Sequence, residues 1–127
     1  MVRDYDRAAV PTKYALDDLP EREGEGSTQH FLRGIDSMVG VTNLEPNRDA
    51  DPHSHPWEQL TVVVEGSCRF HVDGEAVELS VGEALFVPPD ADHRAVTGEE
   101  SCTLLFAGAL REDALDYVAQ AEFPDDG

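Results

Sequence analysis

The sequence predicts an all-β domain, a barrel or sandwich of short strands finished by one short C-terminal helix. Three observations predict it. From residue 28 onward, short apolar or alternating runs recur with turn-forming residues between them. The period changes to a helical one only near the C-terminus. With 127 residues, of which 40% are apolar, the chain suits one ordinary core and leaves little room for a second. The expected organisation is an N-terminal loop and edge-strand segment over 1–27, a single barrel domain with its helix over 28–121, and a flexible tail over 122–127.

Residues 1–27 are polar and interrupted by Pro11, Pro20, Gly24 and Gly26. Within them only Lys13–Leu16 reads as a short edge strand, and Glu21–Gly26 reads as a solvated loop. Strands are then expected at Gln29–Arg33, Met38–Leu44, Gln59–Val64, Cys68–Val72, Ala76–Leu79, Ala84–Val87, His93–Val96 and Cys102–Phe106. Asp73-Gly74 falls between two of these runs and reads as a hairpin turn, since Asp and Gly accept the positive φ it requires. Leu60 and Val62-Val63-Val64 are apolar on both strand faces. One face should line the interior, and the other needs cover from the N-terminal segment, the C-terminal helix or a second subunit. At the end, Leu110, Ala114, Leu115 and Val118 recur at helical spacing, which predicts an amphipathic helix over Leu110–Gln120.

Charge excludes whole classes of partner. Asp and Glu number 27 against 9 Lys and Arg, a formal net charge of −18, so nucleic acid and anionic membranes are repelled. No run approaches the roughly 20 apolar residues of a membrane span, and the N-terminus lacks the apolar core of a secretory leader, so the expected location is cytoplasmic. Cys68 and Cys102 form no metal-binding CxxC pair and are expected to be small buried residues. The only lysine is Lys13. Such an acidic, lysine-poor chain reads as halophilic, because molar salt shortens the Debye length to about 3 Å and screens its self-repulsion.

Chemistry concentrates in His53-Ser54-His55-Pro56-Trp57-Glu58-Gln59. Alternation along an extended strand puts positions 53, 55, 57 and 59 on one side, so two imidazoles and a carboxamide share a surface while Glu58 points away. Two close histidines alone are weak evidence of a metal site. The surrounding spacing, however, resembles the cupin superfamily. Asn47, five residues, His53-x-His55, three residues, Gln59, six residues and Gly66 follow its first motif. Gly82, five residues, Pro88, Pro89, Asp90, two residues and His93 follow its second. The resemblance implies a cupin (jelly-roll) β-barrel holding one divalent transition metal on His53, His55, His93 and Gln59. Asn47 and Asp90 replace family glycines and tolerate left-handed backbone better than other residues. The closing asparagine is absent, with Val96 or Thr97 in that stretch, and Gln59 replaces the ligand glutamate. Three imidazoles and an amide leave the full +2 on the ion, which favours an anionic ligand. Zn, Fe, Ni and Mn all suit such donors. Glu58 is the competing fourth ligand if the strand bulges.

The same segment, with its valine-rich continuation and Glu65-Gly66, further resembles the pectin-degradation cupins that linearise unsaturated uronates. That resemblance implies a lyase or isomerase acting on a small acidic sugar or other carboxylate. It matches Arg111-Glu112-Asp113, but the family's proton-handling aspartate and its substrate-contacting phenylalanine align with Leu105 and Ala107, on either side of Phe106. The general acid or base must then be Glu58, a metal-bound hydroxide or another residue, which leaves Glu58 and Arg111 as the catalytic candidates. Arg33, Arg69 and Arg111 are candidates to clamp a carboxylate, although alternation turns Arg69 outward. His71 is expected to face outward too, and His30 to stand apart from the site. A metal-dependent dioxygenase and a non-catalytic binding or sensor module are the alternative functions. Cupins are often dimers, which implies a homodimer.

If the acidic surface is a high-salt adaptation, the melting temperature rises strongly between low and molar KCl. A flat thermal-denaturation response to salt removes that reading.

Overall fold

The computed structural model describes residues 11–34 and 36–109. Among them a 3₁₀ turn at Leu16–Asp18 precedes eight strands: β1 (Glu21–Gly24), β2 (Ser27–Arg33), β3 (Ser37–Leu44), β4 (Gln59–Val72), β5 (Glu75–Ser80), β6 (Ala84–Val87), β7 (His93–Val96) and β8 (Cys102–Ala109). Hydrogen bonding runs in the order β1-β2-β3-β8-β4-β5, with β6 and β7 each paired to β4. The architecture is all-β. Among the described residues these ladders do not close into a ring, which corrects the closed barrel expected from sequence. The reason lies in how β4 divides its partners, described next. The helix expected over Leu110–Gln120 and the tail at 122–127 lie outside the described residues. No helix among the described residues is long and apolar enough to cross a membrane.

β4 organises the molecule. Its first half pairs with β6 and β8, and its second half with β5 and β7. Two separate strands, Gln59–Val64 and Cys68–Val72, were expected here. Instead the ladder to β8 shifts register between Val63 and Glu65, and the strand bends there without ending. A bulge of this kind lets one strand pass from one sheet into the next. Gly66 makes the bend possible, with φ +77 and no room for a Cβ beside the Ser101 carbonyl. The core fills the space that the bend creates: Leu44, Val63, Cys68, Phe70, Leu79, Ala95, Cys102 and Leu104 pack together. Both cysteines are buried and unbridged.

Two N-terminal expectations are corrected. Lys13–Leu16 forms no strand, and Glu21–Gly24, expected as loop, is strand β1. Its charged side chains are mostly exposed, and what holds it is the antiparallel backbone ladder from Glu21↔His30 to Gly24↔Ser27. Charge on an edge strand is no obstacle to pairing on its other side, and it discourages further pairing with other chains. Among the described residues no strand pairs with Lys13–Leu16. The expected turn at Asp73-Gly74 is present, with φ +48 and +87 between the paired Val72 and Glu75.

Alternation along β4 buries Thr61 and Val63 and turns Leu60 and Val64 outward. Register aligns Val39, Ala107, Leu60 and Phe86 side by side across β3, β8, β4 and β6. Leu60 and Phe86 remain about half exposed, at 45% and 55%. This is the second apolar face of β4 that the sequence implied.

Gly66→Ala is expected to cost about 3 kcal/mol or more, since strain at positive φ adds to overlap with backbone. Gly82→Ala, also at positive φ (+86) but with nothing near its Cβ position, is expected to cost only about 1 kcal/mol. Urea-denaturation midpoints of the two variants check the difference.

Candidate metal centre

The segment before β4 is laid against β7 by backbone pairing. His53 and His93 form an antiparallel bridge, each N–H donating to the other's carbonyl at 2.9 Å, and Asp49 stands opposite Val96 in a second antiparallel bridge, where Thr97 N–H donates to Arg48 O. Two turns are stitched to this segment. Asn47 (φ 58) donates its N–H to Gly98 O, and Asp90 (φ 64) donates to His55 O. Both positions adopt the left-handed backbone that glycine would otherwise supply.

The bridge sets the imidazoles together. Ring centroids lie 4.3 Å apart for His53 and His93, and 4.9 Å apart for His55 and His93. One ring nitrogen from each of the three lies within 4.8 Å of the others, close enough to hold a common metal ion. The outward-facing nitrogens of two rings are committed elsewhere. His55 Nδ1 lies 2.8 Å from Trp57 O, and His93 Nδ1 lies 2.9 Å from Ala91 O. A carbonyl only accepts, so both Nδ1 atoms carry the proton and both Nε2 atoms present lone pairs. Trp57 stacks flat on His55, at 4.4 Å and 6°, and holds that ring in place.

The remaining atoms fit a cation. His93 Nε2 is buried without a hydrogen-bond partner. His55 Nε2 lies 3.3 Å from Gln59 Oε1, so two acceptors face one another. A cation turns that repulsion into shared coordination. Protonation is suppressed as well. Burial, then the nearby His93 and His55 rings, then Arg48 and Arg22, hold His53 down at about 4. Burial also lowers His93. The lone pairs of His53 and His93 are therefore available at neutral pH.

The histidines open on a cavity of about 360 Å³, whose lining also includes Gln59, Glu58, Trp57 and Phe106. Gln59 opens β4 half-buried beside His55, whereas Glu58 is exposed on the cavity wall. Phe106 faces inward, edge-on to Phe31 at 5.7 Å and over Gly40. Leu105 takes the opposite phase, and neither it nor the inward-facing Leu104 offers a carboxylate.

Among the expected arginines, Arg69 is exposed and paired with Glu78 through Nε at 2.6 Å, Arg33 does not line the cavity, and Arg111 lies outside the described residues. The arginines that do line it are Arg22, Arg48 and Arg94. Sequence offered little signal for Arg22, because its phase exists only once β1 is recognised as a strand. His71 lies outside the cavity, and so does His30, which sits 3.3 Å from Glu21.

An all-β fold in which three histidines converge closely enough to hold a metal ion defines a recognisable class of small β domains. Residues 40–108 match the cupin domain family, and the chain belongs to it. It is 30% identical over 83 residues to dimethylsulfoniopropionate lyase DddW of Ruegeria pomeroyi, covering 65% of this chain and 55% of that protein. It is 34% identical over 95 residues to tetracenomycin polyketide synthase protein TcmJ of Streptomyces glaucescens, covering 68% and 62%. The chain thus spans less than two thirds of either relative. The structure of KdgF from Halomonas sp. superposes with a TM-score of 0.69 at 21% identity, covering 84% of this chain and 99% of that one, a likeness of fold.

The lowered His53 sets a pH dependence. Folded, it titrates near 4; unfolded, near 6.5. Between those values the unfolded chain binds the proton first, so the stability His53 contributes is complete above pH 6.5 and is lost as pH falls towards 4. Metal-free wild type is expected to lose thermal stability over this window more steeply than His53→Gln. Equal slopes in the two proteins contradict this.

Proposed function

We propose that the protein is a metal-dependent enzyme of lyase or isomerase type, acting on a small carboxylate-bearing molecule such as an acidic sugar. His53, His55, His93 and Gln59 hold one divalent transition metal, of the Zn, Fe, Ni or Mn group. The observation that carries this reading is the buried lone pair of His93 Nε2, unpartnered and within 4.8 Å of the ring nitrogens of His53 and His55. An unsatisfied buried acceptor costs about 1–3 kcal/mol, and a cation at the common point removes that cost. The cavity volume also lies within the roughly 300–1,000 Å³ range of small-molecule pockets.

When bound, the ion acts as a Lewis acid on a substrate oxygen and so raises the acidity of the adjacent C–H. The chain's own groups do the rest. Neutral Gln59 leaves the ion's charge undiminished, and the stacked Trp57 keeps His55 oriented. Phe106 supplies an apolar wall. Glu58 moves the proton, as a carboxylate on the cavity wall with no competing acid at Leu104 or Leu105. A role for Arg111 in binding the substrate carboxylate rests on the resemblance alone. That one relative is named a lyase supports this class of chemistry. We also read the assembly as a homodimer, supported by the exposed Leu60 and Phe86 in the outer apolar row.

Elemental analysis of protein purified without a metal-scavenging tag is expected to find close to one metal per chain, and little in His55→Ala. Equal contents contradict the site. With metal retained, Glu58→Gln is expected to slow elimination or isomerisation of uronates and related acids about 10²-fold or more. Oxygen uptake during turnover instead points to the dioxygenase alternative.

A further inference from the structure

The cavity carries a cationic feature at odds with the protein's overall charge. Arg48 follows the left-handed Asn47 and is pinned on every side. Its N–H donates to Thr97 Oγ1 at 2.9 Å, and its carbonyl accepts from Thr97 N–H at 3.0 Å. Its guanidinium donates through Nη1 to Ala95 O at 2.6 Å and through Nε to Glu25 O at 3.0 Å. Thr97 is itself buried and donates to Glu45 O, so the side chain in the closing-asparagine stretch serves to clamp this turn.

These hydrogen bonds hold the guanidinium in place without cancelling it, and the carboxylates on the same cavity lining are those of Glu25, Asp51 and Glu58. Backbone carbonyls carry only partial charge, and arginine stays protonated even when burial lowers its pKa, as it does here. The carboxylate facing Arg48 is that of Glu25, which is exposed. Arg94, by contrast, is ion-paired with Asp49.

Arg22 reaches the same cavity from another element. It is the half-buried member of β1, and its cross-strand partner is Gln29. Gln29 Nε2 bonds Thr42 Oγ1 at 3.1 Å, and Thr42 pairs with the inward-facing Leu104. Arg22 therefore ends an inward-facing row that leads from the core to the cavity wall. The charges of both arginines act on His53.

We infer that Arg22 and Arg48 form the anion-recognition wall of the site, receiving the carboxylate of a small acid while a neighbouring oxygen of that acid faces the histidines. This rests on the proposed metal-dependent reading and specifies which residues select the substrate. The net charge of −18 does not override it. At 0.1 M ionic strength the Debye length is about 10 Å, so distant surface carboxylates are screened while contacts inside the cavity are not. A guanidinium fork also matches a carboxylate in geometry, which an ammonium does not.

The test is calorimetric titration of the zinc-loaded full chain with galacturonate and glycolate, and with their uncharged counterparts galactose and glycolamide. Wild type is expected to bind at least one acid about tenfold or more tighter than its counterpart. Arg48→Gln and Arg22→Gln should each weaken the acid about tenfold or more and leave the neutral compound unaffected. Arg48→Lys should recover part of the loss, and the outward Arg69→Gln should change nothing. Zinc content is measured in every variant. Acid binding indifferent to both arginines, no acid binding to zinc-loaded wild type, or loss of zinc along with either arginine overturns the inference. Parallel titrations of metal-free protein separate the two claims. Arginine-dependent acid binding in a chain that retains no zinc sustains the subsite and removes the metal reading; zinc retention with arginine-independent acid binding does the reverse.

Discussion

The site depends on one pair of backbone hydrogen bonds, the reciprocal contact between His53 and His93. The two residues are far apart in the chain, and His53 lies outside any of the eight strands. Without that bridge the pre-β4 segment is a connecting loop, free to spread His53 and His55 away from β7. With it, side chains on the paired residues must project to the same face, since directly opposed residues in an antiparallel pair share one side. The ring contacts follow from that register, while the carbonyls of Trp57 and Ala91 set the tautomers of His55 and His93. Asn47 and Asp90 reinforce it from either end, by turning backbone N–H groups onto Gly98 and His55.

Division of labour along β4 keeps the centre rigid. Beyond the bend at Gly66, the strand contributes Cys68 and Phe70 to the core. Before it, the strand contributes Gln59 and Thr61 to the cavity. Stability and chemistry therefore share one continuous backbone, with Val63 before the bend also in the core and Phe70 beyond it also lining the cavity. A site built on such a strand inherits the positional precision of the core, which isolated loops lack.

Electrostatically the cavity is more mixed than the chain as a whole. The chain is strongly acidic, and the cavity lining sets imidazoles, a neutral carboxamide and the guanidinium groups of Arg22, Arg48 and Arg94 beside the carboxylates of Glu25, Asp51 and Glu58. Desolvation lowers the pKa of His53 and of His93, so these two rings can hold a cation without adding charge of their own. Any ion there retains its positive charge, and the arginines add to it. An anion entering the cavity meets these lining groups at contact distance, where local fields are larger than the screened field of distant surface carboxylates.

Much was legible in the amino-acid order alone. The short alternating runs gave the all-β class and most strand positions. The spacing of His53, His55, Gln59 and His93 marked the candidate site, since period-two alternation and left-handed turn residues are local properties of the chain. The unity of β4 across Glu65-Gly66 was not legible, because a glycine that permits a bulge looks the same in sequence as one that ends a strand. Strand β1 was hidden for a similar reason: its charged residues carry no apolar signal, and backbone pairing with β2 alone makes it a strand. The cavity arginines followed it into obscurity. Arg22 acquires its inward phase only from that pairing, and Arg48 its orientation only from Ala95, Thr97 and Glu25. Local pattern determined which residues could bear chemistry, and long-range hydrogen bonding decided which of them meet, because the direction of a side chain is set by the partner across the ladder.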